Sequence, residues 1–205
     1  MAVLHTIDEI VAEAVAAMPA GDRVIIGIAG PPGAGKSTIA ASLVSRLDDA
    51  ALLPMDGFHL PQAELVRLGR RDRMGAADTF DRAGFVETLR AIRDFRNDGD
   101  FVLAPGFDRG IEEPVPNAIH ISPSFRKVIV EGNYLLLWDE ARDLFDATFY
   151  VELDDGIRLQ RLIDRHIRFG KSPADARAWA TGPDELNART IAATARRADH
   201  VIALN

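Results

Sequence analysis

The sequence predicts a three-layer α/β fold built on a mostly parallel five-stranded sheet. Five apolar runs have the length and composition of buried strands, at 23–29, 50–54, 127–131, 147–153 and 199–203. Segments with helical periodicity separate most of them, at about 6–18, 37–47, 83–97, 154–169 and 184–195. Strands that alternate with helices favour a parallel sheet covered on both faces. A chain of 205 residues is expected to form a single domain, 1–205.

Composition excludes several classes of protein. The net charge of −7 argues against a general nucleic-acid binder, because neutralising phosphates requires a basic surface. The chain has no cysteine, which rules out disulfides and permits a reducing cytoplasm. No run approaches the ~20 apolar residues that cross a bilayer, and acidic residues replace the positive charge of a signal peptide near the N-terminus. We therefore expect a cytoplasmic protein with no nucleic-acid or membrane partner, and homo-oligomerisation is left open.

A phosphate-binding loop (P-loop) lies between a predicted strand and a predicted helix. Its pattern GxxxxGK(S/T) is formed by Gly30, Pro31, Pro32, Gly33, Ala34, Gly35, Lys36 and Ser37. In such a loop backbone amides surround phosphate oxygens, the lysine reaches the β- and γ-phosphates, and the hydroxyl ligates Mg²⁺. We predict that these residues and Thr38 bind ATP and that Ser37 is a metal ligand. The chain lacks the Asn-Lys-x-Asp of GTPase switches and the Leu-Ser-Gly-Gly-Gln of transporter ATPases, which leaves mainly small-molecule and nucleotide kinases.

Two predicted strands end near carboxylates. The strand at 50–54 is followed by Met55 and Asp56, and the strand at 127–131 ends on Glu131. In P-loop folds a carboxylate at this position holds magnesium or orients the nucleophile. We predict that Glu131 is a metal ligand and that Asp56 accepts a proton from the acceptor of the phosphoryl group. The alternatives are a surface turn for Asp56 and a solvent-facing acid for Glu131.

The segment at about 154–180 carries an arginine-rich helical face and is predicted to be a lid. Its arginines recur at i, i+3, i+7 and i+10, as Arg158, Arg161, Arg165 and Arg168. Arginines on a lid can neutralise charge on a transferring phosphoryl group and exclude water. Arg161 and Arg165 are therefore predicted to be catalytic, together with Lys36 and Asp56. The alternative is a solvated face with pairs such as Asp154 to Arg158.

Two segments rich in Gly, Pro, Asp and Arg interrupt the alternation, at about 57–82 and 104–126. Ligands of open α/β sheets bind beyond the carboxyl ends of the strands, so these segments are predicted to cap the substrate site. The predicted acceptor pocket contains Asp56, His59, Asp78, Asp108 and Arg109. An ordinary ion pair within the loop is the alternative for Asp108 and Arg109.

Together these motifs resemble the P-loop kinase family that includes uridine kinase, bacterial pantothenate kinase and phosphoribulokinase. Met55, Asp56, Gly57 and Phe58 are similar to the Thr-Asp-Gly-Phe of pantothenate kinases, and the arginines of 158–165 are similar to the uridine kinase lid. The chain departs from uridine kinases at Met74 and Gly75, where they carry Phe-Asp. The whole pattern resembles the bacterial subgroup labelled fructose transport system kinase or nucleoside kinase-like protein.

The resemblance implies ATP- and Mg²⁺-dependent phosphorylation of a hydroxyl on a small polar metabolite, such as a sugar, a nucleoside or a pantothenate-like alcohol. Two alternatives remain. A nucleoside monophosphate kinase would need extra arginines in the acceptor region, where Arg70, Arg71, Arg73 and Arg109 are available. A non-catalytic nucleotide-binding regulator would keep the P-loop and have no need for Asp56 or the lid arginines.

Overall fold

A five-stranded parallel sheet forms the centre of the computed structural model, which describes residues 7–21, 23–95 and 99–204. The strands, in chain order, are β1 (Val24–Ala29), β2 (Ala50–Pro54), β3 (Val102–Asp108), β4 (Glu113–Ile121), β5 (Lys127–Gly132), β6 (Ala147–Leu153) and β7 (His200–Leu204). The sheet has the order β2-β5-β1-β6-β7, and every neighbouring pair is parallel. The predicted α/β class and five-stranded sheet are confirmed.

Eight α-helices occur among the described residues. They are α1 (Ile7–Ala16), α2 (Lys36–Ser45), α3 (Gln62–Arg67), α4 (Arg82–Arg93), α5 (Asp139–Arg142), α6 (Asp155–Arg168), α7 (Pro173–Thr181) and α8 (Pro183–Ala192). The five predicted helices correspond to α1, α2, α4, α6 and α8. The periodicity did not indicate α3 and α5, because helices of 6 and 4 residues are too short to show it. No helix in the described part of the chain is long and apolar enough to cross a membrane.

Two apolar cores lie on opposite faces of the sheet. Side chains of α1 and α2 pack on one face, and side chains of α4, α5 and α8 pack on the other. All six residues of β1 are buried, because this central strand is covered on both sides. This explains why the sheet strands read as continuous apolar runs instead of alternating patterns.

The two cap segments differ in structure. Most of 104–126 forms an antiparallel ribbon of β3 and β4, which the sequence did not predict. Pro105, Pro114 and Pro116 lie within these strands; a two-stranded ribbon consists only of edge strands, where a missing N–H is tolerated. The segment 57–82 contains α3 and short 3₁₀ turns.

The ribbon passes very close to the turn that follows β2. A Cβ atom on Gly57 would lie 2.0 Å from the carbonyl oxygen of Pro105 in β3. Only glycine permits this approach. Gly57 therefore allows the ribbon to lie directly over the end of β2, next to Asp56.

Candidate active site

The carboxyl ends of β2, β5 and β1 bring the predicted functional groups to one edge of the sheet. In the strand register, Glu131 of β5 is level with Ile28 of β1 on one side and with Pro54 of β2 on the other. The P-loop continues from β1 and Asp56 follows β2. Glu131 therefore lies between the phosphate loop and Asp56.

The P-loop folds as a tight connection between β1 and α2. Gly33 has a φ of 83°, and a Cβ atom there would lie 2.7 Å from the carbonyl oxygen of Arg158, so this position requires glycine. Because α2 begins at Lys36, its free N-terminal amides face the loop. The Nζ of Lys36 donates to the carbonyl oxygen of Pro31 at 3.0 Å and to Oδ1 of Asn133 at 2.9 Å.

The Lys36 ammonium group is poorly solvated. Burial lowers its pKa to about 8, although the negative charges of Glu131 and Asp56 act in the opposite direction. The nearby Arg165 and Arg109 lower the pKa further. A bound anion would stabilise this ammonium group, because phosphate oxygens would replace the solvent that the group has lost.

Ser37 and Glu131 have the chemistry of a magnesium site. The Oγ of Ser37 donates to Oε1 of Glu131 at 3.0 Å. Mg²⁺ prefers oxygen ligands in an octahedron at about 2.0–2.1 Å, in which neighbouring ligands lie about 3 Å apart. Burial raises the pKa of Glu131, and the charge of Asp56 adds to this effect. A divalent cation would offset both penalties, so the pair fits the ion.

Asp56 is half-buried and paired with a cation. One carboxylate oxygen accepts a hydrogen bond from Nη2 of Arg109. Burial by itself would raise the pKa of Asp56, but the positive charge of Arg109, followed by that of His59, holds the pKa below its usual value. The backbone oxygen of Asp56 accepts from Nδ1 of His59 at 2.8 Å. Asp56 is therefore ionised at neutral pH, as a general base must be.

Two cavities meet above the P-loop. The first, here called the nucleotide cavity, is lined by Gly33, Gly35, Lys36, Ser37, Thr38, Ile39, Arg109, Arg161, Asp164, Arg165, Arg168, Phe169 and Leu204. The second, here called the acceptor cavity, is lined by Pro32, Lys36, Ser37, Asp56, His59, Arg71, Met74, Gly75, Phe107, Arg109, Glu112, Glu131, Asn133, Arg165, His166, Trp179, Asp184 and Asn187. They share Lys36, Ser37, Arg109 and Arg165. These four residues form the boundary between the cavities, and any group that moves from one cavity to the other must pass them.

The arginines of α6 have different environments. Arg165 lines both cavities, whereas Arg161 and Arg168 line only the nucleotide cavity. Arg158 is buried, and it donates to Asp155 at 3.0 Å and to Glu185 at 2.7 Å, which ties α6 to α8.

The alternative pair of Asp154 with Arg158 does not form. Asp154 instead caps α6 by accepting from the amides of Gly156 and Ile157.

His59 and Arg109, two of the residues predicted to bind the acceptor, line the acceptor cavity. The His59 ring lies between those of Phe80 and Phe107, with centroid distances of 3.9 and 4.7 Å. The alternative ion pair within the loop does not form, because Arg109 pairs with Asp56 and not with Asp108.

Asp78 and Asp108 are not among the residues that line this cavity. The carboxylate of Asp108 accepts from the Gly110 amide at 2.7 Å within the ribbon turn. Asp78 pairs with Arg70 and Arg73 at 3.4 and 2.9 Å. Contact of these two aspartates with the acceptor stays a prediction.

Several cavity residues were missed by the sequence reasoning. His166 and Asp184 form a pair at 2.7 Å, and Asn187 lies one helical turn after Asp184. Glu112, at the tip of the ribbon, pairs with Arg71 at 2.7 Å and with Lys171 at 3.5 Å. The sequence contained only a weak signal for Asp184 and Asn187, which are polar residues one turn apart on a predicted helix. In the structure both are buried.

Comparison with known proteins identifies the family. Residues 25–172 match the model of the "Phosphoribulokinase / Uridine kinase family". A Schizosaccharomyces pombe protein named "Putative uridine kinase C227.14" is 34% identical over 177 residues, which cover 80% of this chain and 74% of that protein. A "Pantothenate kinase" of Nocardioides sp. is 31% identical over 160 residues, covering 70% of this chain and 48% of that protein.

A solved structure gives the same result. The "putative fructose transport system kinase" of Silicibacter sp. TM1040 has a TM-score of 0.83 and 31% identity, with 96% of this chain and 98% of that chain covered. The resemblance inferred from the motifs is therefore confirmed, as is the P-loop kinase fold. The chain belongs to the phosphoribulokinase and uridine kinase family of P-loop kinases.

Proposed function

We propose that the protein transfers the γ-phosphoryl group of ATP to a hydroxyl of a small polar metabolite, such as a sugar, a nucleoside or a pantothenate-like alcohol. One observation carries the proposal: the Asp56 carboxylate lies in the acceptor cavity, beside the residues that this cavity shares with the nucleotide cavity. Relatives named uridine kinase and pantothenate kinase support an alcohol as acceptor.

The nucleotide side would bind and polarise the phosphates. Lys36 and the P-loop amides hold the β- and γ-phosphates, and Ser37 and Glu131 hold Mg²⁺. When bound, the ion neutralises charge on the phosphate oxygens. Arg161 and Arg165, which line the nucleotide cavity, stabilise the charge of the transferring group.

The acceptor side would supply the base. Asp56 takes the proton of the acceptor hydroxyl as the hydroxyl oxygen bonds to the γ-phosphorus and the bond from the γ-phosphorus to the bridging oxygen breaks, which releases ADP. His59 and Arg109 position the acceptor. Asp78 and Asp108 support that site through their contacts with Arg73 and with the ribbon turn.

The test is an ADP-release screen over sugars, nucleosides, vitamins and phosphorylated sugars. An Asp56→Asn variant should lose about 10²–10⁴ in turnover, the usual contribution of a positioned base, and should still bind nucleotide. Unchanged turnover in that variant would exclude Asp56 as the base.

A nucleoside monophosphate kinase is the second candidate, favoured by Arg71 and Arg109 in the acceptor cavity. Arg71 is already paired with Glu112. This pair favours an uncharged alcohol over a phosphate as the acceptor. ADP release with monophosphates alone would decide for the second candidate, and nucleotide binding without turnover on any acceptor would indicate a regulator.

A further inference from the structure

Arg109 stands at the boundary of the two cavities. Its guanidinium group contacts Asp56, and the residue lines both the nucleotide and the acceptor cavity. Lys36 and Arg165 also line both cavities. Of the three cations, Arg109 alone comes from the turn of the β3–β4 ribbon, whereas Lys36 begins α2 and Arg165 lies on α6.

The ribbon turn holds Arg109 in place. Asp108 accepts the amide hydrogen of Gly110, which fixes the turn just after β3. At the other end of the turn, Glu112 pairs with Arg71 of the 57–82 cap segment and with Lys171, which follows α6. With both ends of the turn anchored, the Arg109 side chain can exchange partners at the boundary without movement of the ribbon.

Three cations, Lys36, Arg109 and Arg165, line both cavities, and the carboxylates of Asp56 and Glu131 lie beside them in the acceptor cavity. Burial lowers the pKa of Arg165, and the charge of Arg109 lowers it further. The same arginine contributes to the low pKa of Lys36. A polyanion bound at this boundary would be stabilised by all three cations.

We propose that Arg109 exchanges its partner when nucleotide binds, leaving Asp56 for the γ-phosphate, so that the base becomes available only when the phosphoryl donor is present. This inference rests on the proposed function and assigns Arg109 to the phosphoryl group as well as to the acceptor. A carboxylate oxygen that accepts from a guanidinium group is not free to accept from an acceptor hydroxyl. The γ-phosphate is the stronger competitor because it carries more charge and offers several oxygens to the planar guanidinium fork.

The exchange predicts energetic coupling between Arg109 and Asp56 that depends on the γ-phosphate. We suggest titration calorimetry, in the presence of Mg²⁺, of ADP and of a non-hydrolysable ATP analogue with an imido bridge. Arg109→Gln should weaken binding of the analogue about tenfold, the scale of one charge-assisted bidentate contact, and should change ADP binding less than about twofold. Arg109→Lys should restore part of the loss because it retains the charge.

The decisive measurement is a double-mutant cycle. Asp56→Asn should strengthen binding of the analogue about tenfold when Arg109 is present, because it releases the guanidinium group, and by no more than about twofold in the Arg109→Gln background. Equal strengthening in both backgrounds would show that Asp56 acts only by general repulsion and would overturn the exchange.

Arg67→Gln is the matched control. It removes an exposed arginine of α3 that pairs with Glu64 and lies outside both cavities, so it should change neither affinity. The cycle needs no acceptor. A failed acceptor screen with intact coupling would therefore contradict the proposed function alone, and turnover without coupling would contradict the exchange alone.

Discussion

The nucleotide cavity and the acceptor cavity meet at the same lysine but are assembled differently. The phosphate end of the nucleotide cavity comes from one continuous segment, the P-loop and the first turn of α2. The acceptor cavity is lined by residues of several elements: the turn after β2, the 57–82 cap segment, the β3–β4 ribbon, the end of β5 and the three helices α6 to α8. Under the proposed function, phosphate recognition therefore has a local origin, whereas acceptor recognition depends on how separate elements pack.

This difference has a functional consequence. Backbone amides of a continuous loop recognise phosphate wherever the strand and helix around the loop are kept. The acceptor cavity can change its specificity through any of several segments without disturbing the loop. Relatives named after different acceptors are consistent with this view. The most informative substitutions are those whose effects on the two cavities can be distinguished experimentally.

The largest effect is expected at the shared lysine. Lys36→Ala should lower kcat/KM by about 10²–10³, because a preorganised positive charge at the transferring phosphoryl group is lost. Steady-state kinetics with an accepted substrate would measure this. Lys127→Ala is the matched control, since it removes a lysine that pairs with Asp49 at the opposite end of β5, and it should retain activity. Full activity without Lys36 would refute its role.

A smaller effect is expected at Gly57, next to the β3–β4 ribbon. Gly57→Ala would place a methyl group against the carbonyl oxygen of Pro105 and displace the ribbon, with a destabilisation of about 1–3 kcal/mol as for overpacked sites. Denaturant unfolding would measure the loss, and ADP affinity should be nearly unchanged.

Gly99→Ala, at a position with no atom near the added Cβ, is the control for Gly57→Ala. Equal stability of the two variants would contradict the close approach of ribbon and turn.

The buried pair of His166 and Asp184 provides a milder test of the acceptor cavity. Asp184→Asn removes the charged acceptor of the His166 hydrogen bond at 2.7 Å, and a charged hydrogen bond of this kind contributes about 1.5–3 kcal/mol. We expect KM for the acceptor to rise about tenfold with little change in nucleotide affinity. Asp48→Asn, at an exposed position, should have no effect. A loss of nucleotide affinity in Asp184→Asn would show that this pair contributes to nucleotide binding, which would contradict its assignment to the acceptor cavity.

The smallest expected effect is a dependence of nucleotide affinity on pH. The pKa of Lys36 is about 8 in the free protein, and phosphate binding raises it because the anion favours the ammonium form. Above pH 8 binding must therefore take up a proton, and affinity should fall as pH rises. Calorimetry in two buffers of different ionisation enthalpy would detect the proton. Proton uptake that persists in Lys36→Ala would assign it to another group.

The arginines of α6 show what helical periodicity can and cannot predict. The pattern placed Arg158 and Arg165 on the same face of one helix, yet Arg158 is buried between Asp155 and Glu185, and Arg165 faces the cavities. Periodicity gives the direction of a side chain relative to its own helix. It contains no information about α8, which supplies Glu185.

Neighbouring residues of the ribbon show the same limit. Asp108 and Arg109 are adjacent in the chain, yet the Asp108 carboxylate accepts from the Gly110 amide within the ribbon turn and the Arg109 side chain reaches Asp56. The contact of Arg109 joins residues 53 positions apart, and it depends on the close approach at Gly57.

The amino-acid sequence was enough to predict a P-loop motif after one apolar run and carboxylates at the ends of two others. These features are visible because each lies within a few residues of a strand, and parallel strands bring their carboxyl ends to a common edge. The sequence did not show which cations face that edge, that His166, Asp184 and Asn187 line the acceptor cavity, or that Arg109 pairs with Asp56. The physical reason is that these contacts depend on the packing of helices and ribbon against the sheet, which local sequence patterns do not encode.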